Sequence, residues 1–191
     1  MNTHRKWNMM KNSKGFTLIE VVVVMVIVGI LVAIMATTMG NRGPRLRLKT
    51  SARDLISSMQ LARVSAIRDS LPWAIQFDTV NQSYVLYSSS GEAFGTTPDW
   101  SDGDEVIYRT VRLSKGVSMG TSQGVRPGAT SPAPADGVSY SANRVVFNSN
   151  GTSENGTVYF TIASGDTFAI SSLSTTGRVK AWRNYGSGWV E

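Results

Sequence analysis

The sequence predicts an α+β fold in which a long N-terminal helix packs on an antiparallel β-sheet. Two observations lead to this prediction. An apolar run from Phe16 to Met39 is followed by a segment with helical periodicity, residues 45–69. Residues 71–191 consist of short stretches rich in β-branched and aromatic residues, separated by glycine-containing turns, which is typical of antiparallel strands.

The apolar run is long enough to cross a bilayer, since residues 16–39 would form a helix of roughly 36 Å. Basic residues precede it without any acidic one, so the N-terminus is expected in the cytoplasm and the bulk of the chain beyond the membrane. A secretory signal would have a shorter apolar core and a small-residue cleavage site. A plain signal anchor explains the run but not Glu20, because a charge inside a membrane helix costs about 2.5–3.5 kcal/mol at its centre.

A motif at the start of the run offers an explanation. The stretch "KGFTLIE", residues 14–20, resembles the class III signal of type IV prepilins and type II secretion pseudopilins. The resemblance implies that prepilin peptidase cleaves between Gly15 and Phe16, that residues 1–15 are a removed leader peptide, and that Phe16 is then N-methylated. It also implies that Glu20 of one subunit lies near the Phe16 ammonium group of another within a filament. A buried charge without such a partner would be costly, so this pairing would guide assembly.

The composition argues against most enzyme chemistry. There is no cysteine, and the single histidine, His4, lies in the leader. Disulfides, thiolate metal sites and Ser–His or Cys–His mechanisms are therefore excluded from the mature chain. The net charge of +6 falls to about +2 without residues 1–15, so bulk charge says little about partners. We predict a structural protein with no enzymatic activity, no cofactor and no metal.

The segment 40–70 is predicted to be a kinked amphipathic continuation of the first helix. Gly40, Gly43 and Pro44 should kink or break the helix, and Leu71-Pro72 should end it. Six apolar residues recur at steps of three or four and predict a stripe that packs on a sheet: Leu48, Ala52, Leu55, Met59, Ala62 and Ala66. The basic cluster over residues 42–53 has three interpretations: contact with lipid headgroups, contact with acidic faces of neighbouring subunits, or a solvated helix face.

The region 71–191 is predicted to be a β-rich globular domain. The stretches "WAIQFD" and "SYVLYSS" flank Asn81-Gln82 and predict a hairpin. The stretch "EVIYRTVRL" predicts a strand in which Val106 and Tyr108 alternate with Ile107 and Arg109. Three or four further strands are expected between residues 144 and 182, with Gly165-Asp166 as a tight turn. Residues 121–137, rich in Gly, Pro, Ala and Ser, predict a flexible loop.

The C-terminal half strengthens the resemblance. The stretches "RVVFNSNGTSENGTVYFTI" and "FAISSLSTTGRVKAW" are similar to the C-terminal pattern of the GspH/FimT minor pilins and pseudopilins. The resemblance implies a pilin-like fold, in which the outer half of the long helix packs on an antiparallel sheet. Residues 90–137 match no part of that pattern.

Two segments are candidates for ligand contacts. Asp99, Asp102, Asp104 and Glu105 could ligate calcium, but their spacing fits no EF-hand, and a hydrated loop is the better interpretation.

The other segment, near the C-terminus, interleaves cations with aromatic residues. Arg178, Lys180, Trp182 and Arg183 could contact DNA, which the FimT-like resemblance also implies. The alternative is a final strand whose Val179 and Trp182 pack inward while the cations face water.

The combined expectation is a minor pilin of a type IV pilus, a structural subunit near the filament tip that helps prime assembly. A minor pseudopilin of a type II secretion system is the first alternative, and a DNA-binding minor pilin for DNA uptake is the second. The expected partners are prepilin peptidase, other pilins or pseudopilins, the inner membrane and, in the second alternative, DNA. The protein is expected as a single-pass inner-membrane protein with a periplasmic C-terminal domain, and later in a filament.

Overall fold

The computed structural model describes residues 15–38, 42–89, 105–129 and 132–191. The chain forms two compact units, Met1–Gly40 and Asn41–Glu191. The elements are α1 (Leu18–Thr38), α2 (Arg42–Asp69), β1 (Trp73–Asp78), β2 (Ser83–Ser88), β3 (Val106–Arg112), β4 (Val117–Met119), a short 3₁₀ turn (Ser141–Asn143), β5 (Arg144–Phe147), β6 (Gly156–Ile162), β7 (Thr167–Ser172), β8 (Val179–Asn184) and β9 (Trp189–Val190). The predicted α+β fold class is confirmed.

The first unit contains the helix α1, which begins at Leu18, two residues after the predicted start of the apolar run at Phe16. All its described side chains, up to residue 34, are exposed, although almost all of them are apolar. Within the described residues, no helix combines the length and the apolar character needed to cross a membrane. The predicted span over residues 16–39 is therefore not confirmed.

The second unit begins with α2, which starts earlier than predicted. Gly43 and Pro44 lie in its first turn and do not interrupt it, because the first amide groups of a helix have no intrahelical acceptor and a proline there loses nothing. Residues 39–41, including the predicted breaker Gly40, lie outside the described residues. The helix ends at Asp69, where Ser70 adopts a φ of 55°, in agreement with the predicted end before Leu71-Pro72.

The strands form two antiparallel sheets, whereas the sequence suggested one. The first has the order β3-β2-β1-β5 and the second the order β4-β6-β7-β8-β9. The predicted hairpin is confirmed as β1–β2, in which Asp78 pairs with Ser83. The Asp78 carboxylate accepts hydrogen bonds from the Asn81 amide at 2.8 Å, the Asn81 side chain at 2.7 Å and the Val80 amide at 3.0 Å. These bonds fix the turn and lower the pKa of Asp78.

Two details of the strand predictions differ. The β6–β7 turn is centred on Ala163-Ser164 and not on Gly165-Asp166. The Gly165 amide donates to the Ile162 carbonyl at 2.8 Å, and Gly165 follows the turn with a φ of 87°. The alternation expected in β3 is absent, since every residue except Val111 is exposed. The reason is that β3 is an edge strand and carries an irregularity opposite Leu86/Tyr87.

The core of the second unit lies where α2 packs on both sheets. The six residues of the predicted stripe are 0–1 % exposed, and they pack in one cluster with residues of β1, β2, β5, β6 and β7. The predicted packing of helix on sheet is thus confirmed. The opposite faces of the sheets carry two small clusters, one around Ala74 and Tyr87 and the other around Tyr159, Ala169 and Trp182.

Candidate assembly site and C-terminal surface

The candidate assembly residues lie together at the start of α1. Thr17 directly precedes α1: its carbonyl accepts the Glu20 amide at 3.1 Å, and its hydroxyl oxygen accepts the same amide at 3.3 Å. Glu20 therefore lies in the first turn, where the helix dipole favours a negative charge. Phe16, at 82 % exposure, precedes it by one turn.

Glu20 lies next to an apolar surface of α1. Phe16, Val21, Val24, Met25 and Val28 line a shallow groove with it along α1. No described side chain forms an ion pair with Glu20. A helix that is apolar on all sides needs an apolar environment, either lipid or other helices. The structure therefore brings Phe16 and Glu20 together on a surface suited to burial, while cleavage after Gly15 and methylation of Phe16 stay predictions.

The candidate DNA-contact residues do not form one surface. Strand β8 pairs with β7 and β9, and alternation along a strand places Lys180 and Trp182 on the opposite face from Arg183. Val179 and Ala181 pack against the core beneath α2, whereas Trp182 packs with Tyr159 and Ala169 on the other face. The alternative interpretation is thus partly wrong, because Val179 and Trp182 point to opposite faces.

Two of these side chains have partners within the domain. The Lys180 ammonium group lies 2.8 Å from the Glu191 carboxylate, and this hydrogen bond lowers the pKa of Glu191. Trp182 is 8 % exposed. Arg178 and Arg183 are exposed.

Trp182 is covered by a residue that the sequence did not single out, Arg126. The guanidinium carbon of Arg126 lies 4.5 Å from the centre of the Trp182 ring, a cation–π contact. Arg126 Nε donates to Thr157 Oγ1 at 3.0 Å, and the Arg126 amide donates to the Tyr159 hydroxyl at 3.3 Å. Arg126 is the one cation of the predicted flexible loop 121–137. This single charge is the feature of the sequence that could have pointed to Arg126. These contacts hold part of that loop on the sheet.

A second missed contact concerns the basic cluster at the start of α2. Arg45 donates to both carboxylate oxygens of Asp166, at 2.6 and 3.3 Å, and its guanidinium lies over the Tyr185 ring at 5.4 Å. Arg47 donates to the Lys115 carbonyl at 3.2 Å. These two cations thus contact the β-domain of their own chain, which none of the three sequence interpretations included.

The candidate calcium residues fall largely outside the described part of the chain. Asp99, Asp102 and Asp104 are not among the described residues. Glu105 is described, and its Oε1 atom is buried without a hydrogen-bond partner. Among the described residues no group of acidic or histidine side chains could hold a metal ion.

Comparison with known families identifies the class of protein. Residues 10–36 match the prokaryotic N-terminal methylation motif, which contains the predicted cleavage site, Phe16 and Glu20. Residues 51–177 match the family described as type II transport protein GspH. The chain belongs to this family and is a pilin-like structural subunit of the minor pilin and pseudopilin type. The predicted GspH/FimT relationship is therefore confirmed.

Solved structures and curated sequences were also compared. The chain is similar to the minor pseudopilin EpsH from the type 2 secretion system of Vibrio cholerae, with 12 % identity and a TM-score of 0.49, over 71 % of this chain and 95 % of that one. It is also similar to the type IV minor pilin FimU from Pseudomonas aeruginosa, with 15 % identity and a TM-score of 0.47, over 77 % and 95 % of the two chains. A search of curated proteins found no match.

Proposed function

We propose that this protein is a minor pilin of a type IV pilus, a structural subunit near the filament tip that helps prime assembly. Prepilin peptidase would remove residues 1–15 on the cytoplasmic face and methylate Phe16. Residues 16–39 would anchor the chain in the inner membrane with the C-terminal domain in the periplasm, and would later form part of the filament core. The match to the N-terminal methylation motif supports this processing.

The observation that carries the proposal is the position of Glu20. It is the one charge in the sequence of α1, whose side chains are exposed up to residue 34, and it lies one turn after Phe16. In a bundle of such helices an unpaired carboxylate would be costly, since desolvating a charge costs several kcal/mol. A Phe16 ammonium group from a neighbouring subunit would neutralise it. The pair would then set the axial register between subunits.

The alternative of a minor pseudopilin in a type II secretion system has one specific observation in its favour. The matching family is described as a type II transport protein. Both filaments would use Phe16 and Glu20 in the same way, so these residues do not distinguish them. Deletion of the gene distinguishes the two filaments. Loss of surface pili with normal secretion supports the pilus, whereas loss of secretion with normal piliation supports the pseudopilus.

The docking role is tested by the substitution Glu20→Ala in the native host. We expect the variant to insert in the membrane and to be cleaved after Gly15, because neither step needs the carboxylate. It should be strongly depleted from sheared filaments, because the neighbouring ammonium group loses its partner. Membrane fractionation, peptide mapping of the N-terminus and immunoblots of the filament fraction measure the three steps.

Two matched variants complete this experiment. Glu20→Gln keeps the shape of the side chain and removes its charge, so it should fail as Glu20→Ala does. Glu20→Asp keeps the charge and should retain part of the assembly. Wild-type levels of Glu20→Gln in filaments would contradict the docking role.

A further inference from the structure

Strand β3 lies at one end of the first sheet, and no strand of the described residues pairs with its outer edge. It is seven residues long, and among the described residues it pairs with β2 alone. The other sheet ends within the described residues are short or covered. Strands β4 and β9 have three and two residues. Strand β5 is covered by the segment around Ser153, where the Glu154 amide donates to the Val146 carbonyl at 3.1 Å. An open edge of this length can pair with another strand.

The backbone groups that face outward on β3 follow from its pairing with β2. The Leu113 amide donates to the Gln82 carbonyl at 2.9 Å, and Val111 lies opposite Tyr84. Because hydrogen-bonded and non-hydrogen-bonded pairs alternate in an antiparallel ladder, Leu113, Val111 and Arg109 bond toward β2. The amide and carbonyl groups of Thr110 and Arg112 therefore point away from the sheet, where a further strand could bond to them.

The side chains of β3 indicate what kind of strand would fit. Val106, Ile107 and Tyr108 are 56–67 % exposed, which is unusual for three consecutive large apolar residues. Arg109 and Arg112 are exposed as well, and neither forms an ion pair with a carboxylate among the described residues. A second copy of β3 carries two further arginines and no carboxylate, so it offers Arg109 and Arg112 no opposite charge. A strand that carries apolar and acidic side chains would complement this edge.

We propose that β3 is a docking edge that binds an extended, acidic segment of a different subunit by strand addition. The backbone of the bound segment pairs with Thr110 and Arg112, its carboxylates meet Arg109 and Arg112, and its apolar side chains cover Val106 and Ile107. The inference rests on the proposed function only in taking the partner to be a subunit of the same filament. Main-chain pairing gives affinity in this mode of recognition, and side chains give specificity.

The test is site-specific photo-crosslinking of the full-length protein in its host. A photoreactive phenylalanine analogue replaces Ile107, and in a control it replaces Val80, which is 88 % exposed in the β1–β2 turn. We expect a cross-link from position 107, absent from position 80, to a different filament subunit. Mass spectrometry of the cross-linked peptide should place it in a segment that contains Asp or Glu.

Two variants in the background of the position-107 probe test the mode of binding. Thr110→Pro removes an outward amide without removing a hydrogen bond to β2, as prolines on edge strands do. It should lower the cross-link yield roughly tenfold, because one hydrogen bond is lost and the ring blocks close approach. Thr110→Val keeps the amide and is the matched control. The double variant Arg109→Glu/Arg112→Glu should reduce the yield by a similar factor, because it reverses the charge that the acidic segment meets. Unlike Thr110→Pro, it keeps every backbone amide of β3.

Three outcomes would overturn the proposal: a yield at position 107 no higher than at position 80, a cross-link to a second copy of this chain, or a yield that neither Thr110→Pro nor the double variant lowers. Immunoblots of sheared filaments from the same cells distinguish failure of the docking edge from failure of the proposed filament role. A chain that enters filaments without the cross-link contradicts only the docking edge. A cross-linked chain that never enters filaments contradicts only the filament role.

Discussion

At the scale of single residues, Tyr140 links the loop before β5 to the second sheet. Its hydroxyl oxygen lies 2.8 Å from Ser172 Oγ and accepts the Ser172 amide at 3.1 Å. Its ring stacks on Phe77 at 6.1 Å. Burial raises the pKa of Tyr140 to about 12, so the hydroxyl stays protonated at any physiological pH.

The substitution Tyr140→Phe should lower the free energy of unfolding by about 1–3 kcal/mol, because it removes the hydrogen bonds that the buried Tyr140 hydroxyl makes with Ser172. The effect should depend on pH. An unfolded tyrosine loses its proton near pH 10, whereas folded Tyr140 keeps it to about pH 12, so the unfolded state binds fewer protons in this window and wild-type stability falls as pH rises. Urea denaturation between pH 7 and 12 measures both. The difference between wild type and variant should shrink above pH 10, and a constant difference would contradict this explanation.

Gly177, in the Gly-Arg step that carries the family resemblance, has a local structural role. Its φ is +58°, and a Cβ atom there would lie 2.4 Å from the Gly151 carbonyl oxygen and 3.0 Å from Arg63. Gly177→Ala should therefore destabilise the fold by more than the about 1–3 kcal/mol of a strained backbone alone. Gly186→Ala is the control, since Gly186 also has a positive φ, +89°, but open space around it. Equal losses in thermal or urea unfolding would show that the close approach is unimportant.

At the scale of elements, α2 holds the two sheets together. Leu55 and Met59 are fully buried where the helix meets both sheets, while Leu46, nearer the helix start, is 65 % exposed. The same helix is tied to the β6–β7 turn by Arg45 and Asp166, whose side chain is only 4 % exposed. The position of α2 on the sheets therefore depends on apolar packing along its length and on one ion pair near its start.

Leu55→Ala should cost about 2–5 kcal/mol in the free energy of unfolding, because the rigid surroundings leave a cavity. Leu46→Ala makes the same chemical change at an exposed position and should cost no more than about 0.5 kcal/mol. Urea denaturation of the purified chain measures both. A similar loss for the two variants would contradict the packing described for α2.

At the scale of the whole molecule, two surfaces differ in how far contacts within the chain cover them. The outer face of the second sheet is largely closed by its own chain, since Arg126 covers Trp182 and Glu191 pairs with Lys180. The side chains of α1 described up to residue 34 are all exposed and, apart from Glu20, almost all apolar. Partner binding is therefore expected through α1 more than through the C-terminal segment.

DNA contact by the C-terminal segment stays a prediction, and this arrangement does not favour it. Alanine at Arg178, Lys180 and Arg183 together should leave DNA binding nearly unchanged, because Lys180 has an acidic partner and Arg183 lies on the other face of β8. Fluorescence anisotropy of the purified chain with duplex and single-stranded DNA, over a salt series, measures this. A large loss of salt-sensitive binding would support the DNA-uptake alternative.

The sequence alone determined the local features of this protein. The start of α1, the buried stripe of α2 and the β1–β2 hairpin each follow from the spacing of residues that are neighbours along the chain. The motif around Phe16 and Glu20 is also contiguous, which is why the candidate assembly site could be identified without a structure. Such features depend on helical or strand periodicity and on turn residues, which act over a few positions.

The tertiary structure decided what depends on residues distant in sequence. It divided the strands between two sheets, placed β3 at the end of the first sheet, placed Arg126 on Trp182, and paired Arg45 with Asp166, 121 positions away. No local pattern encodes these contacts, because a solvated arginine and an ion-paired arginine look alike in sequence. Packing of the whole domain selects between them, since only there do burial and the position of the opposite charge become fixed.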